Sequence, residues 1–158
     1  MTWRDPPKLQ STHDARISHK ITPEDLAKSG SEDGHQSAVF CWAAMNVAKY
    51  PDLRWLHAIP NGGQRHIATA TKLVATGSRS GVWDIFLPCP IQTEWAKHYA
   101  GLYIDMKKAD KRNHKNGGLS DEQVEFGVYA DKMGYCIMVC YSWEEARDIL
   151  IRYMECKV

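Results

Sequence analysis

Two acidic residues stand inside segments that otherwise read as buried strands. Asp84 lies in Val82-Trp83-Asp84-Ile85-Phe86-Leu87, and Asp105 lies in Tyr103-Ile104-Asp105-Met106-Lys107. A carboxylate in a central strand is costly unless it is paired or binds a cation. Asp105 and Lys107 are two residues apart, so they share one face of a strand. If the two strands are neighbours, Asp84 joins them there. Two carboxylates and an ammonium on one sheet face suit Mg²⁺, which takes hard oxygen ligands and keeps several waters. One such water is a potential nucleophile, and the lysine is placed to orient it or to stabilise charge on a phosphate. The same residues also fit a purely structural reading, an Asp105–Lys107 salt bridge with Asp84 hydrogen-bonded locally.

The elements that must position these groups follow from patterning. Residues 1–30 read as a polar arm with one short helix near Pro23-Glu24-Asp25-Leu26, and residues 31–158 as a single domain. His35 to Lys49 has helical spacing through Val39, Trp42 and Ala43, and Pro51 stops it. Arg54 to Ile59 is a short apolar-rich run ended by the turn Pro60-Asn61-Gly62-Gly63. A helix is expected from His66 to Thr76, capped by Gly77, and a strand from Val82 to Leu87. Cys89 to Ala100 reads as an irregular crossing loop. Gly101 to Lys107 alternates as a strand, with Leu102, Ile104 and Met106 on one face. Lys108 to Gly118 is a basic Gly/Asn-rich loop. Ser120-Asp121-Glu122-Gln123 has capping-box form and opens a helix to about Met133; Tyr135 to Tyr141 is a buried strand; Ser142-Trp143-Glu144-Glu145 is a second box before a final helix. The order implies an α/β/α sandwich with a mixed central sheet.

The chain has 158 residues and a formal net charge of +1, with 44% apolar and 25% charged residues. That is the range of one ordinary globular domain. The near-neutral total hides an asymmetry. Residues 41–118 carry eleven Lys/Arg against five Asp/Glu, and residues 119–158 four against eight. A basic middle attracts phosphates even in a neutral chain. The acidic end is expected on helices facing away. Five cysteines form no CxxC pair; they read as free thiols of a reducing cytoplasm, with Cys136 and Cys140 in the core. No apolar run of about 18 residues is present, so no membrane-spanning helix is expected. Trp42, Trp55, Trp83, Trp95, Tyr99 and Tyr103 read mostly as core or interface candidates, not as base-stacking platforms.

Taken together, the motifs resemble the VRR-NUC (virus-type replication-repair nuclease) domain of the PD-(D/E)xK superfamily. The matching pieces run in the family's order: Ser31-Glu32 with His35-Gln36; Leu56 to Arg65 around the asparagine-glycine turn; Gly81 to Leu87; Gly101 to Lys107; Leu119 to Gln123; and Gly134 to Ala146. The resemblance implies a restriction-endonuclease-like α/β/α fold. It implies that Glu32, Asp84 and Asp105 ligate Mg²⁺ or Mn²⁺ directly or through water. Lys107 would be the catalytic lysine and Gln123 would enter the site from its helix, with Gln36 in support. It further implies a metal-dependent DNA endonuclease of repair or replication, a homodimer cutting branched DNA such as Holliday junctions, in the cytoplasm of a bacterial or phage-infected cell. Two positions depart from the pattern. Trp83 stands where proline is usual, and Asp105 where glutamate is usual, a shortening of ~1.5 Å. The alternative is a weak or inactive DNA- or junction-binding module on the same fold.

Several of these residues also have plainer readings. Gln123 serves equally as the capping-box partner of Ser120, and Glu32 as an exposed residue of the arm. Candidate DNA contacts are Asn61, Arg65, Lys72, Arg79, Lys108, Lys111, Arg112 and Lys115, any of which could instead be solvated. His57 and His66 are secondary candidates.

Overall fold

The computed structural model describes residues 21–60, 72, 74–92 and 98–158. Helices α1 (Pro23–Ala27) and α2 (Glu32–Asn46) are followed by a 3-10 turn, Pro51–Trp55, and strand β1 (His57–Ala58). Then come β2 (Ile85–Leu87), β3 (Ile91–Gln92), β4 (His98–Tyr99) and β5 (Leu102–Met106). Two 3-10 turns, Ala109–Asn113 and Lys115–Gly118, lead into α3 (Asp121–Lys132), β6 (Cys136–Cys140) and α4 (Trp143–Met154).

The main sheet has the order β1-β2-β5-β6 and is mixed. β1 and β5 flank β2 antiparallel, and β6 runs parallel to β5 with Asp105 opposite Val139. A parallel pair needs a crossover, and α3 is that crossover. Alternation then sorts the side chains. Ile85, Leu87, Leu102, Ile104, Met106, Cys136 and Cys140 face a core completed by Ala38, Val39 and Trp42 of α2 and Ala146, Leu150 and Tyr153 of α4. The opposite face carries Phe86, Tyr103 and Asp105. There α3 packs, with Tyr103 edge-on to Phe126 at 5.1 Å. The three layers match the sandwich expected from the pattern. Among the described residues no helix is long and apolar enough to cross a membrane.

Some elements differ from expectation for identifiable reasons. β2 begins at Ile85 rather than Val82, because the Met106 N–H donates to the Asp84 side chain (3.0 Å) and not to a ladder carbonyl. The stretch expected to be an irregular loop contains the paired strands β3 and β4; two-residue strands show no alternation to read. At Ser142 the box is half made. Its hydroxyl accepts from Glu145 N–H (3.3 Å), but the Glu145 carboxylate turns to Tyr141 N–H (3.0 Å) and Arg112. Trp42 and Trp83 are buried as expected, whereas Trp55 is 57% exposed. Asn61, Arg65, His66 and Trp95 lie outside the described residues. So does most of the expected 66–76 helix, apart from its end, where Thr76 N–H donates to Lys72 O at 2.9 Å and Gly77 has φ +100°.

Candidate active site

Glu32, Asp84, Asp105 with Lys107, and Gln123 come from four separate places in the chain and meet at the C-terminal end of β5. β5 itself supplies Asp105, which is fully buried on the face opposite the core. Its Oδ1 accepts from Gln123 Nε2 at 2.7 Å. Its Oδ2 accepts from Lys107 Nζ, a salt bridge buried on both sides. The ion pair left open by the sequence therefore forms, but it is one contact in a larger cluster.

Asp84 sits just before β2, and its carboxylate reaches across to the Met106 N–H. This is a bridge between strands, not the local hydrogen bond of the structural reading. Glu32 is the first residue of α2, below the Ser31 N-cap, whose hydroxyl accepts from Gly34 N–H at 3.0 Å. A carboxylate there is favoured by the helix dipole. Its Oε1 accepts from Lys108 N–H at 3.3 Å, which ties α2 to the end of β5. Glu32 is half-buried, so it is not a solvated residue of an arm. α2 is held in place at its other contact by Trp143 N–H, which donates to His35 Nδ1 at 3.2 Å.

Gln123 does both things the sequence offered as alternatives. Its Oε1 accepts from Ser120 N–H (3.0 Å) while Ser120 Oγ accepts from Gln123 N–H (3.2 Å), completing the capping box. The amide nitrogen of the same side chain holds Asp105. Gln36 is half-buried one turn beyond Glu32, with no hydrogen bond to the cluster among the described residues.

The electrostatics of the cluster are unbalanced. Burial, then Asp84, then Glu32 push the Asp105 carboxyl up to about 7, while Lys107 pulls it down. Two further acidic groups thus act on a carboxylate that already lacks water. That is the setting a divalent cation relieves. The described residues do not form a ready cage, since no three acidic, His or Cys side chains among them are spaced to hold an ion. Magnesium does not need such a cage; it binds through one or two carboxylates and retains waters. The carboxylate oxygens of Asp84 and Asp105 are donors of the kind that mode uses.

Sequence reasoning missed what anchors the site. Trp83 is buried, donates from Nε1 to Gln123 O at 2.9 Å, and lies against Gly127 of α3, where an added Cβ would come within 2.9 Å of the ring. The tryptophan that departs from the family pattern thus fixes the helix bearing Gln123. Gly81 has φ +81°, and an added Cβ there would meet the Glu122 backbone at 2.8 Å, so the approach to Asp84 also needs glycine. No spacing in the sequence signals either contact.

The candidate DNA contacts are dispersed. Lys72, Arg79, Lys108 and Lys115 are exposed, and Lys111 is half-buried. Arg112 is committed elsewhere: it pairs with Glu145 and lies 4.2 Å from the Tyr141 ring centroid. Tyr141 OH in turn donates to Gly117 O at 3.0 Å, so the basic loop is clamped to the start of α4. This corrects the expectation that the acidic C-terminal segment faces away. Glu145 binds the loop, and Asp121 stands 3.4 Å from Lys115, an exposed pair of little energetic weight.

No family model matches the chain, and no curated protein does. Among solved structures, one described as a "VRR_NUC domain protein" aligns with a TM-score of 0.59 and 23% sequence identity, covering 79% of this chain and 88% of that chain. The likeness shows a shared fold over most of both chains. The architecture is therefore that of the VRR_NUC domain protein, as the motif order implied.

Proposed function

We propose that the chain is a divalent-metal-dependent DNA endonuclease that hydrolyses phosphodiester bonds, selective for branched DNA such as four-way junctions and acting as a homodimer. The observation that carries this reading is the convergence of Glu32, Asp84, Asp105, Lys107 and Gln123 at one strand end of a nuclease-type fold. Asp84 and Asp105 would hold Mg²⁺ or Mn²⁺, with Glu32 joining directly or through water. When bound, the ion supplies an acidified water and neutralises charge on the phosphate. The chain's own residues do the rest. Lys107 brings a fixed ammonium beside the reacting phosphate, where it stabilises developing negative charge. Gln123 locks the Asp105 carboxylate in one orientation. Lys108, Lys111 and Lys115 offer backbone phosphate contacts from a loop already ordered. Two-fold pairing is the commonest oligomer, and cutting a symmetric junction takes two sites.

The test is cleavage of matched four-way junction, flap, linear duplex and single-strand DNA in Mg²⁺ or Mn²⁺, beside light scattering of the protein. Asp84→Asn should abolish cutting and keep binding. Equal cutting by that variant and wild type, or a clean monomer that nonetheless resolves junctions, contradicts the respective part of the proposal. One observation favours the second reading, a binding module with a decayed site: both Asp105 oxygens are already engaged. Binding without cutting in either metal, with cutting restored in Asp105→Glu, would support it.

A further inference from the structure

An exposed aromatic and cationic surface lies on the edge strand beside Asp84. Trp55 closes the 3-10 turn before β1 and is 57% exposed. Large aromatics are expensive to leave in water. The Arg54 guanidinium carbon stands 5.1 Å from its ring centroid, and Arg54 has no ion pair among the described residues. His57 follows, exposed, in β1. Its Nδ1 is 2.9 Å from Trp55 O, and its ring meets Phe86 edge-on at 5.6 Å. One imidazole nitrogen is thus held by the backbone, and the other has no partner among the described residues.

The surface is aligned with the candidate active site. His57 is opposite Phe86, and two residues on, Ile59 N–H donates to Asp84 O at 2.7 Å. His57 therefore stands roughly 7 Å along the strand from the level of Asp84, on the face that carries Phe86 and, by alternation, Asp84. Trp55, two residues before His57, closes the turn that leads into β1.

An exposed indole with a guanidinium over its ring is an aromatic, cationic surface on which the flat face of a nucleobase can stack. Inside a duplex those faces are covered by neighbouring base pairs, so only an unpaired nucleotide can use it. We propose that Arg54, Trp55 and His57 form a subsite for unpaired nucleotides: a base stacks on Trp55, and the adjoining backbone phosphates contact Arg54 and the second imidazole nitrogen of His57. This inference rests on the nuclease reading of the neighbouring carboxylates. It adds that the DNA presents single-stranded character on the β1 side, as at a branch point, flap or frayed end.

Fluorescence anisotropy in EDTA separates binding from cleavage. The probes are a labelled oligo-dT strand and a blunt duplex of equal length. Trp55→Ala should weaken oligo-dT binding roughly tenfold or more and leave duplex affinity within about twofold. Trp55→Phe should retain most of the affinity. Arg54→Gln should lower the salt dependence of oligo-dT binding by about one phosphate contact. Trp55 is exposed, so the variants should melt with wild type. Equal weakening on both probes, no weakening on either, or no DNA binding by wild type overturns the subsite. Selective loss in Trp55→Ala from a wild type that cuts nothing in Mg²⁺ or Mn²⁺ would keep the subsite and remove the nuclease. The reverse pattern, metal-dependent cutting with no Trp55 selectivity, would keep the nuclease and remove the subsite.

Discussion

Replacing Gln123 tests whether the candidate site and the start of α3 are one construction. The side chain makes two bonds in opposite directions: it accepts from Ser120 N–H at 3.0 Å and donates to Asp105 Oδ1 at 2.7 Å. Ser120→Ala removes the cap acceptor for Gln123 N–H and a long, exposed bond to Glu122 Oε2 (3.4 Å), and should cost about 1 kcal/mol. Gln123→Ala loses its half of the box and also strips a donor from a fully buried carboxylate. A hydrogen bond to a charged group contributes about 1.5–3 kcal/mol, so the total should be about 3 kcal/mol. Against a domain stability of about 5–15 kcal/mol, the variant still folds. Gln123→Glu is the sharper probe. It preserves the box, since glutamate is also favoured at that position, but turns the donor into a second carboxylate facing Asp105. At pH 9, above the Asp105 carboxyl's value of about 7, it should destabilise more than alanine does, and at pH 5, where the pair can share a proton, the excess should shrink. Urea unfolding of the metal-free protein at the two pH values gives these differences directly. If Gln123→Ala and Ser120→Ala agree within about 0.5 kcal/mol, a window in which surface substitutions usually fall, or if Gln123→Glu matches wild type at pH 9, then the amide does not hold Asp105.

Two further outcomes follow from the same cluster. Gly127→Ala should destabilise by about 1–3 kcal/mol despite alanine's higher helix propensity, because the new methyl meets the buried Trp83 ring at 2.9 Å; a thermal melt showing stabilisation would mean the helix can shift freely. The raised Asp105 carboxyl gives a signed pH dependence. Its folded value of about 7 exceeds its ordinary 3.8, so its contribution is fully present below pH 3.8 and is lost as the pH rises through 7. Wild-type stability should therefore fall relative to Asp105→Asn between pH 4 and pH 8, by at most about 4 kcal/mol, and Mg²⁺ should restore part of it at pH 8 and none at pH 5. Parallel pH profiles for the two proteins would refute this.

The strand core of the site was readable because alternation in Leu102 to Met106 and the apolar run Cys136 to Cys140 encode burial directly. Ser120-x-x-Gln123 was readable because capping is a local code. The contacts that assemble the site are not local. The Asp84 carboxylate displaces a ladder bond, Trp83 seats on a glycine in a helix forty residues on, and Glu145 leaves its own box for Arg112. Each is a choice among partners that only the packed chain offers. Residue type and motif order pick out Asp84, Asp105, Lys107 and Glu32; the structure adds that Asp105 pairs with Lys107, while Asp84 and Glu32 accept from the Met106 and Lys108 N–H groups beside them. Arg112 was found by charge alone, and charge did not reveal its partner. Size places Trp55 in a core or an interface and not on a base-stacking surface; its exposure contradicts the core placement and reopens the stacking reading.

The ladder lengths divide the sheet into parts of unequal persistence. β5 and β6 pair over five residues between covering helices, while β1 contributes two exposed residues at the margin. Local opening follows contact density, so amide protons along β1 should exchange with solvent well before those of β5. Asp105, Lys107 and Gln123 belong to the slow-exchanging half. Asp84 stands on the seam, bonded to Ile59 on one side and Met106 on the other. Transient fraying at that margin would expose one carboxylate of the cluster while its partner stays locked, so the site has a hinged jamb and a fixed one.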